Sequence, residues 1–317
     1  MLERIFFVSD LHGSTAASNK AINAAKFYNV KTIIIGGDLT GKALVPILET
    51  DCCYELEFQG KNMKIKKSEP EKLEEAKKQI RSTGSYFSVM TNSEYEELAE
   101  NQNKMEEKFK EVMKEGLAEF LDKAEEKLKE AGAKMYLIPG NDDYDEVAEF
   151  AQKHESEHVI FFDNRIVNLG DYQLLGYGYS NPTPWRTPRE KAEKEIYKDL
   201  KKLVGQIDKN GIYAIHAPPY GTALDKAPKL TSEMKQIAYE TQHVGSTSVR
   251  RIIEEKPPVL GLHGHIHESS GIDFVKSDNG ASVPVINPGS EYSSGVLKGA
   301  IIELDGGRLV KYMFTKG

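Results

Sequence analysis

Gly261-Leu262-His263-Gly264-His265-Ile266-His267 is an apolar run that breaks into a pair of histidines across a glycine. Four earlier runs end in the same way. The run at 5–8 leads into Asp10-Leu11-His12, and the run at 32–35 into Gly36-Gly37-Asp38. The run at 135–138 leads into Gly140-Asn141-Asp142-Asp143, and the run at 213–215 into His216. Several of these runs are continuously apolar, as strands covered on both faces must be. Nitrogen and oxygen ligands recurring at strand ends are what would gather metal ions at one edge of a sheet.

The spacings fit that chemistry. Residues two apart on a strand point the same way, so Asp10 and His12 can face one ion, and so can His265 and His267. Asp38 follows two glycines, which let its carboxylate approach a crowded centre, and its two oxygens could bridge two cations. Asn141 offers a neutral carbonyl oxygen, and His216 ends its strand. The donor set is mixed nitrogen and oxygen with no thiolate. It suits manganese, iron or zinc better than calcium or magnesium, which prefer oxygen alone.

Composition sets outer bounds. The chain of 317 residues carries 42 Lys and Arg against 49 Asp and Glu, a formal net charge of -7. No global basic footprint for nucleic acid is present, which argues against that partner and leaves only a local groove open. Cys52 and Cys53 are the only cysteines. Adjacent residues make a strained disulfide, so they read as two thiols in a reducing compartment. No apolar stretch is long enough for a signal-peptide core or a membrane span, which predicts a cytoplasmic protein without a membrane partner.

Further strand-like runs stand at 159–162, 173–175, 259–262, 283–286 and 300–304, and a helix fits 16–28. The stretch between about 50 and 104 interrupts this rhythm. A hairpin is expected over 54–65, a helix over 70–81 opened by Pro70, a strand-like stretch at 86–89 and an acidic helix at 94–100. These read as an insertion in a single domain spanning 1–317. The long helix over 105–129 that follows has an apolar stripe at helical spacing, read as core.

The series Asp10-x-His12, Gly37-Asp38, Gly140-Asn141-x-Asp143, His216 and Gly264-His265-x-His267 resembles the calcineurin-like metallophosphoesterases, in their prokaryotic and archaeal branch. That resemblance implies an α/β fold, a four-layer αββα sandwich of two mixed sheets flanked by helices. It implies two divalent metals, manganese first, with iron, zinc, nickel or cobalt as alternatives. Asp10, His12 and His267 would hold one ion, and Asn141, His216 and His265 the other, with Asp38 bridging. It also implies hydrolysis of a phosphate ester, foremost a phosphodiester, by a metal-bridging hydroxide attacking in line. Strong phosphatases of the family often carry His after the Asn as general acid; here that residue is Asp142. The catalytic candidates are therefore Asp142, Asp38 and Asn141. A non-catalytic scaffold on the same fold, or a nuclease, are the rival functions.

Three residues are candidate substrate contacts. Asn181 and Arg189 belong to a proline-rich loop holding the chain's single Trp. His243 precedes a helix expected near Thr247, with Ser246 as its cap. His263 is read as a support for the neighbouring ligands. His154-Glu155-Ser156-Glu157-His158 has the spacing of a zinc-protease helix. The strand-like run that follows at once rules the helix out.

Overall fold

The computed structural model describes residues 2–231 and 233–317. It is a mixed α/β protein. One six-stranded sheet runs in the order Arg308–Lys316, Lys298–Asp305, Glu3–Val8, Thr32–Ile35, Lys134–Leu137, Val159–Phe161. A second runs Gly271–Lys276, Ser282–Asn287, Leu260–Leu262, Gly211–Ile215, Tyr172–Tyr177, Ile166–Leu169. In the first sheet the strands from Glu3–Val8 to Val159–Phe161 pair in parallel, and the other pairings are antiparallel. In the second, the strands from Ser282–Asn287 to Tyr172–Tyr177 are parallel and both edge pairings antiparallel.

The continuous apolar runs follow from burial on both faces. Ile5, Phe7 and Ile34 pack between the sheets with Ile212, Ala214, Leu260 and Ile286 of the second sheet. Their neighbours Phe6, Val8, Ile33 and Ile35 face the other way. They meet the helices Thr15–Phe27, Gln102–Ala131 and Asp145–Lys153. On the far side, Tyr213, Ile215 and Val285 pack under the helices Glu193–Val204 and Thr247–Glu255. Two packed sheets thus each carry helices on their outer face.

A separate four-stranded sheet runs Lys61–Lys66, Cys53–Phe58, Ala43–Glu49, Ser85–Thr91. The helix Pro70–Ser82 covers it through Leu73, Ala76 and Ile80, which join Val45, Ile47, Leu56 and Ile65 in one cluster. The hairpin and the helix stand close to where the sequence places them. The strand Ala43–Glu49 does not follow from the sequence, because Pro46 interrupts it. It survives because its pairing to Cys53–Phe58 involves only Leu48 and Glu49, so that side is open at Pro46.

The helix Asp145–Lys153 ends at His154, and His158 lies beyond it with Nδ1 2.8 Å from Glu125 Oε1. The two histidines therefore share no helical face. Cys52 and Cys53 are free thiols. No helix among the described residues is long and apolar enough to cross a membrane.

Candidate metal centre

Every loop carrying a candidate ligand leaves the C-terminal end of a parallel strand: Glu3–Val8, Thr32–Ile35, Lys134–Leu137, Gly211–Ile215 and Leu260–Leu262. This is where open α/β sheets bind ligands. The loops are tied to one another by backbone bonds. Asp10 N donates to Gly37 O at 3.0 Å, His12 N to Asp38 O at 2.8 Å, and Gly264 N to His216 O at 2.9 Å. Such ties hold four non-glycine residues in the left-handed region: Asp10 (φ 58), His12 (φ 44), Asp38 (φ 50) and His265 (φ 67). Each costs on the order of 1–3 kcal/mol, which the surrounding structure must offset.

Close packing explains two glycines. A Cβ on Gly37 would stand 2.2 Å from His216 Nδ1, and one on Gly140 would stand 2.0 Å from Asp38 Oδ1. Any side chain at either place would push a ligand aside.

All seven predicted ligands converge. Asp10, His12, Asp38 and His267 each place a ligand atom within 4.8 Å of the others, a group that could hold a metal ion. His12 Nε2 and His267 Nε2 face each other at 3.1 Å. Beside them, Asn141 Oδ1 lies 2.9 Å from His216 Nε2 and 2.7 Å from His265 Nδ1. Asp38 Oδ2 stands 3.5 Å from both His12 Nε2 and His216 Nε2, so a single oxygen sits between the two groups.

The orientations suit a cation. His216 Nδ1 donates to Gly36 O at 2.8 Å, which leaves Nε2 as the ring nitrogen turned toward Asn141 Oδ1. Asn141 Nδ2 donates to Thr187 Oγ1 at 2.9 Å, which fixes the amide with its oxygen inward.

The electrostatics agree. Burial would raise Asp38, but the imidazoles of His216 and His12 more than offset it and hold the carboxyl well below its usual range. Burial would lower His216, yet Asp38 and Asp10 carry it up to about 9. Burial pushes His12 down to about 3 and His265 down to about 4, keeping both as neutral donors.

Asp143 has a supporting part that the sequence leaves open. Its carboxylate accepts from Leu39 N at 3.0 Å, Thr40 N at 2.9 Å, Thr40 Oγ1 at 2.5 Å and Gly140 N at 2.8 Å. One buried side chain thus clamps the Asp38 loop to the Asn141 loop. His263 supports its neighbour as expected, with Nδ1 2.8 Å from Ile215 O and 3.1 Å from Ala217 O on either side of His216. Asn287 Nδ2 donates to Gly264 O and Ile266 O, and Ser290 Oγ donates to Asp10 O at 2.7 Å.

Asp142 stands at the rim. Its N donates to Asp38 Oδ1 at 2.9 Å, and its Oδ2 lies 2.5 Å from Lys42 Nζ. Burial and then the Asp38 carboxylate push Asp142 up to about 7, against the pull of Lys42. Lys42 does not stand out in the sequence. The available signal is its position four residues after Asp38, on the same loop. Tyr292 gives no sequence signal either; its ring centroid lies 4.5 Å from that of His12 and 5.8 Å from that of His267.

A cavity of about 700 Å³ opens over the ligands. Asn181 and His243 both line it, together with Lys42 and Asp142. Asn181 is anchored through Nδ2 to Val244 O at 3.1 Å, and His243 Nδ1 lies 2.6 Å from Asp225 Oδ1. Arg189 departs from its expected place as a substrate contact. Its guanidinium is buried, bonds Asp145 Oδ1 and, at 2.6 Å, Asp163 Oδ2, and lies 3.9 Å from the Tyr179 ring centroid. With that charge already paired, the residue acts through its backbone, whose N donates to Asn141 O at 3.0 Å.

No protein-family model matches the chain. An uncharacterized protein of Methanocaldococcus jannaschii, MJ1162, is 35% identical over 167 residues, covering 51% of this chain and 68% of its own. The chain belongs to one family with that archaeal protein. Two solved structures align over 100% of this chain and 99% of theirs, each at 15% identity, with TM-scores of 0.58 and 0.55; the second is TT1561 of Thermus thermophilus. At that identity they show the fold alone. A structure described as a novel archaeal phosphodiesterase aligns at a TM-score of 0.36 and 14% identity over 99% of each chain, too distant to carry weight.

Proposed function

We propose that this protein is a calcineurin-like metallophosphoesterase, a dinuclear metal-dependent hydrolase whose foremost substrate is a phosphodiester. On this reading the packed sheets with their helical covers are the four-layer sandwich of that superfamily, and the stretch between about 50 and 104 is an insertion in a single domain. The observation that carries it is Asp38 Oδ2, 3.5 Å from a histidine nitrogen of each donor group. One metal would be held by Asp10, His12, Asp38 and His267, and the other by Asp38, Asn141, His216 and His265. Manganese heads the candidates, with iron, zinc, nickel and cobalt behind it.

Two divalent cations bound there would grip phosphate oxygens and make water a nucleophile near neutral pH. The chain's own residues do the rest. Lys42 Nζ places a cationic donor at the cavity end nearest Asp38 and can take a phosphate oxygen. Asp142 Oδ2, pushed up toward neutrality, can hold a proton for the leaving oxygen. Asp143 and His263 hold the ligand loops and take no part in proton transfer.

The test is hydrolysis of bis-p-nitrophenyl phosphate by chelator-stripped protein titrated with Mn²⁺. The reading predicts a rate that rises with Mn²⁺ and saturates. A flat response at every metal level contradicts it.

A further inference from the structure

We propose that the substrate is a small ester with a single phosphate, whose other half is an uncharged aromatic or apolar group seated in the chamber beyond the metal ligands. The proposal rests on the phosphoesterase reading and narrows it to a substrate class.

The cavity has two unlike ends. At one end stand Asp38, Lys42, Asn141 and Asp142 with His265 and His267. The rest of the lining includes one wall of Pro182, Pro184 and Trp185 and a second of Ala227, Pro228 and Leu230, with Thr183, Gln236, Gln242 and His243 among them. The first wall belongs to the proline-rich loop, the second to the strand Lys226–Leu230, which pairs with Gln236–His243. Prolines supply rigid apolar surface with no backbone donor to satisfy.

Charge decides what fits. Among the described residues, Lys42 is the only lysine or arginine in the cavity lining, which also includes the carboxylate of Glu268. Of the cations on the elements beside the lining, Lys229 Nζ lies 2.9 Å from Glu240, Lys235 Nζ 3.0 Å from Glu233, and Arg189 pairs with Asp145 and Asp163, while Arg186 and Lys226 are exposed and lie outside the lining. A single phosphate finds its counter-charge at the metal end. A second phosphate, or a nucleic-acid strand, would meet no cation among the described residues of the far wall, whereas strand binding needs a basic track.

The walls supply the complement. Trp185 is 65% exposed although it lines the cavity, so its indole offers a large free surface. Stacking a flat group on such a ring adds to the gain from removing apolar surface from water. A volume of about 700 Å³ suits a small ligand and not a polymer.

Trp185 is the chain's single tryptophan, so its emission reports occupancy without any turnover. The experiment titrates Mn²⁺-loaded protein with 2-naphthyl phosphate, methyl phosphate and a DNA octanucleotide, following Trp185 fluorescence. Bis-p-nitrophenyl phosphate hydrolysis by the same preparation reports the function separately. The proposal predicts that naphthyl phosphate shifts the emission and binds at least about tenfold more tightly than methyl phosphate, as burial of one aromatic group implies. Equal affinities, or tighter and strongly salt-dependent binding of the octanucleotide, overturn it while intact hydrolysis leaves the phosphoesterase reading standing. A naphthyl preference without any hydrolysis supports the apolar chamber and overturns the phosphoesterase reading instead.

Discussion

The ligand cradle and the cavity wall differ in how tightly the chain determines them. In the cradle, Asp10, His12, Asp38 and His216 are buried, their loops are tied by backbone bonds, and four ligands keep left-handed backbone. The wall is a hairpin, Lys226–Leu230 with Gln236–His243, and a proline-rich loop whose Trp185 and Arg186 are exposed. A cradle held by so many contacts can be strained, because no alternative position is open to it. A wall with few contacts can change its side chains without disturbing the fold. On the proposed function, chemistry is thereby confined to one part of the molecule and selectivity to another.

The largest effect should come from Asp38→Asn, which keeps the shape but removes the charge between the two donor groups. Turnover of bis-p-nitrophenyl phosphate should fall by about a thousandfold or more, and bound Mn²⁺ should fall with it. Retained turnover would break the contrast, since the cradle would then tolerate loss of its central group.

Asp143→Ala probes the cradle's supports. It strands the buried N–H groups of Leu39, Thr40 and Gly140. The expected cost is about 3–5 kcal/mol, read by thermal unfolding as a drop of roughly 10 °C. A change of only a degree or two would mean that the loops hold without the clamp.

Lys42→Met tests the rim, where cradle and wall meet. Catalytic efficiency should fall about a hundredfold, while Mn²⁺ content stays at the wild-type level, because Lys42 is a donor and not a ligand. Loss of metal in this variant would place Lys42 among the cradle's supports instead.

The smallest effect belongs to the wall. Leu230→Ala should raise KM for an aryl phosphodiester by less than about tenfold and shift the melting temperature little, since Leu230 is only partly buried on an exposed hairpin. A large fall in kcat would show that the wall acts on the chemistry and not only on selectivity.

The same contrast governs what the sequence reveals. The strands at 5–8, 32–35, 135–138 and 213–215 are legible because burial on both faces leaves continuous apolar runs, and their ligands stand out where those runs end. The seven predicted ligands meet in space for that reason. The edge strands Ile166–Leu169, Gly271–Lys276 and Arg308–Lys316 are not legible, nor is the hairpin at 226–243. The hairpin's exposed positions carry Lys, Glu, Gln and Thr, and in the edge strands the apolar Phe274, Val310, Tyr312 and Met313 lie exposed beside Lys, so alternation does not mark a buried face. Arg189 reads as a phosphate ligand because sequence shows its charge but not its partners, Asp145 and Asp163, 44 and 26 residues away. Lys42 and Asp143 escape for a related reason. Their parts depend on contacts to Asp142, Leu39 and Thr40 that exist only once the two loops meet.

The most direct test of the account is the number and coupling of the bound ions. Chelator-stripped protein, saturated with Mn²⁺ and freed of excess, would be measured by elemental analysis and electron paramagnetic resonance. The account predicts two ions per chain with the exchange-coupled spectrum of a pair roughly 3.5–4 Å apart, and loss of that coupling in Asp38→Asn. One ion per chain, none, or two with independent signals would contradict a bridging Asp38.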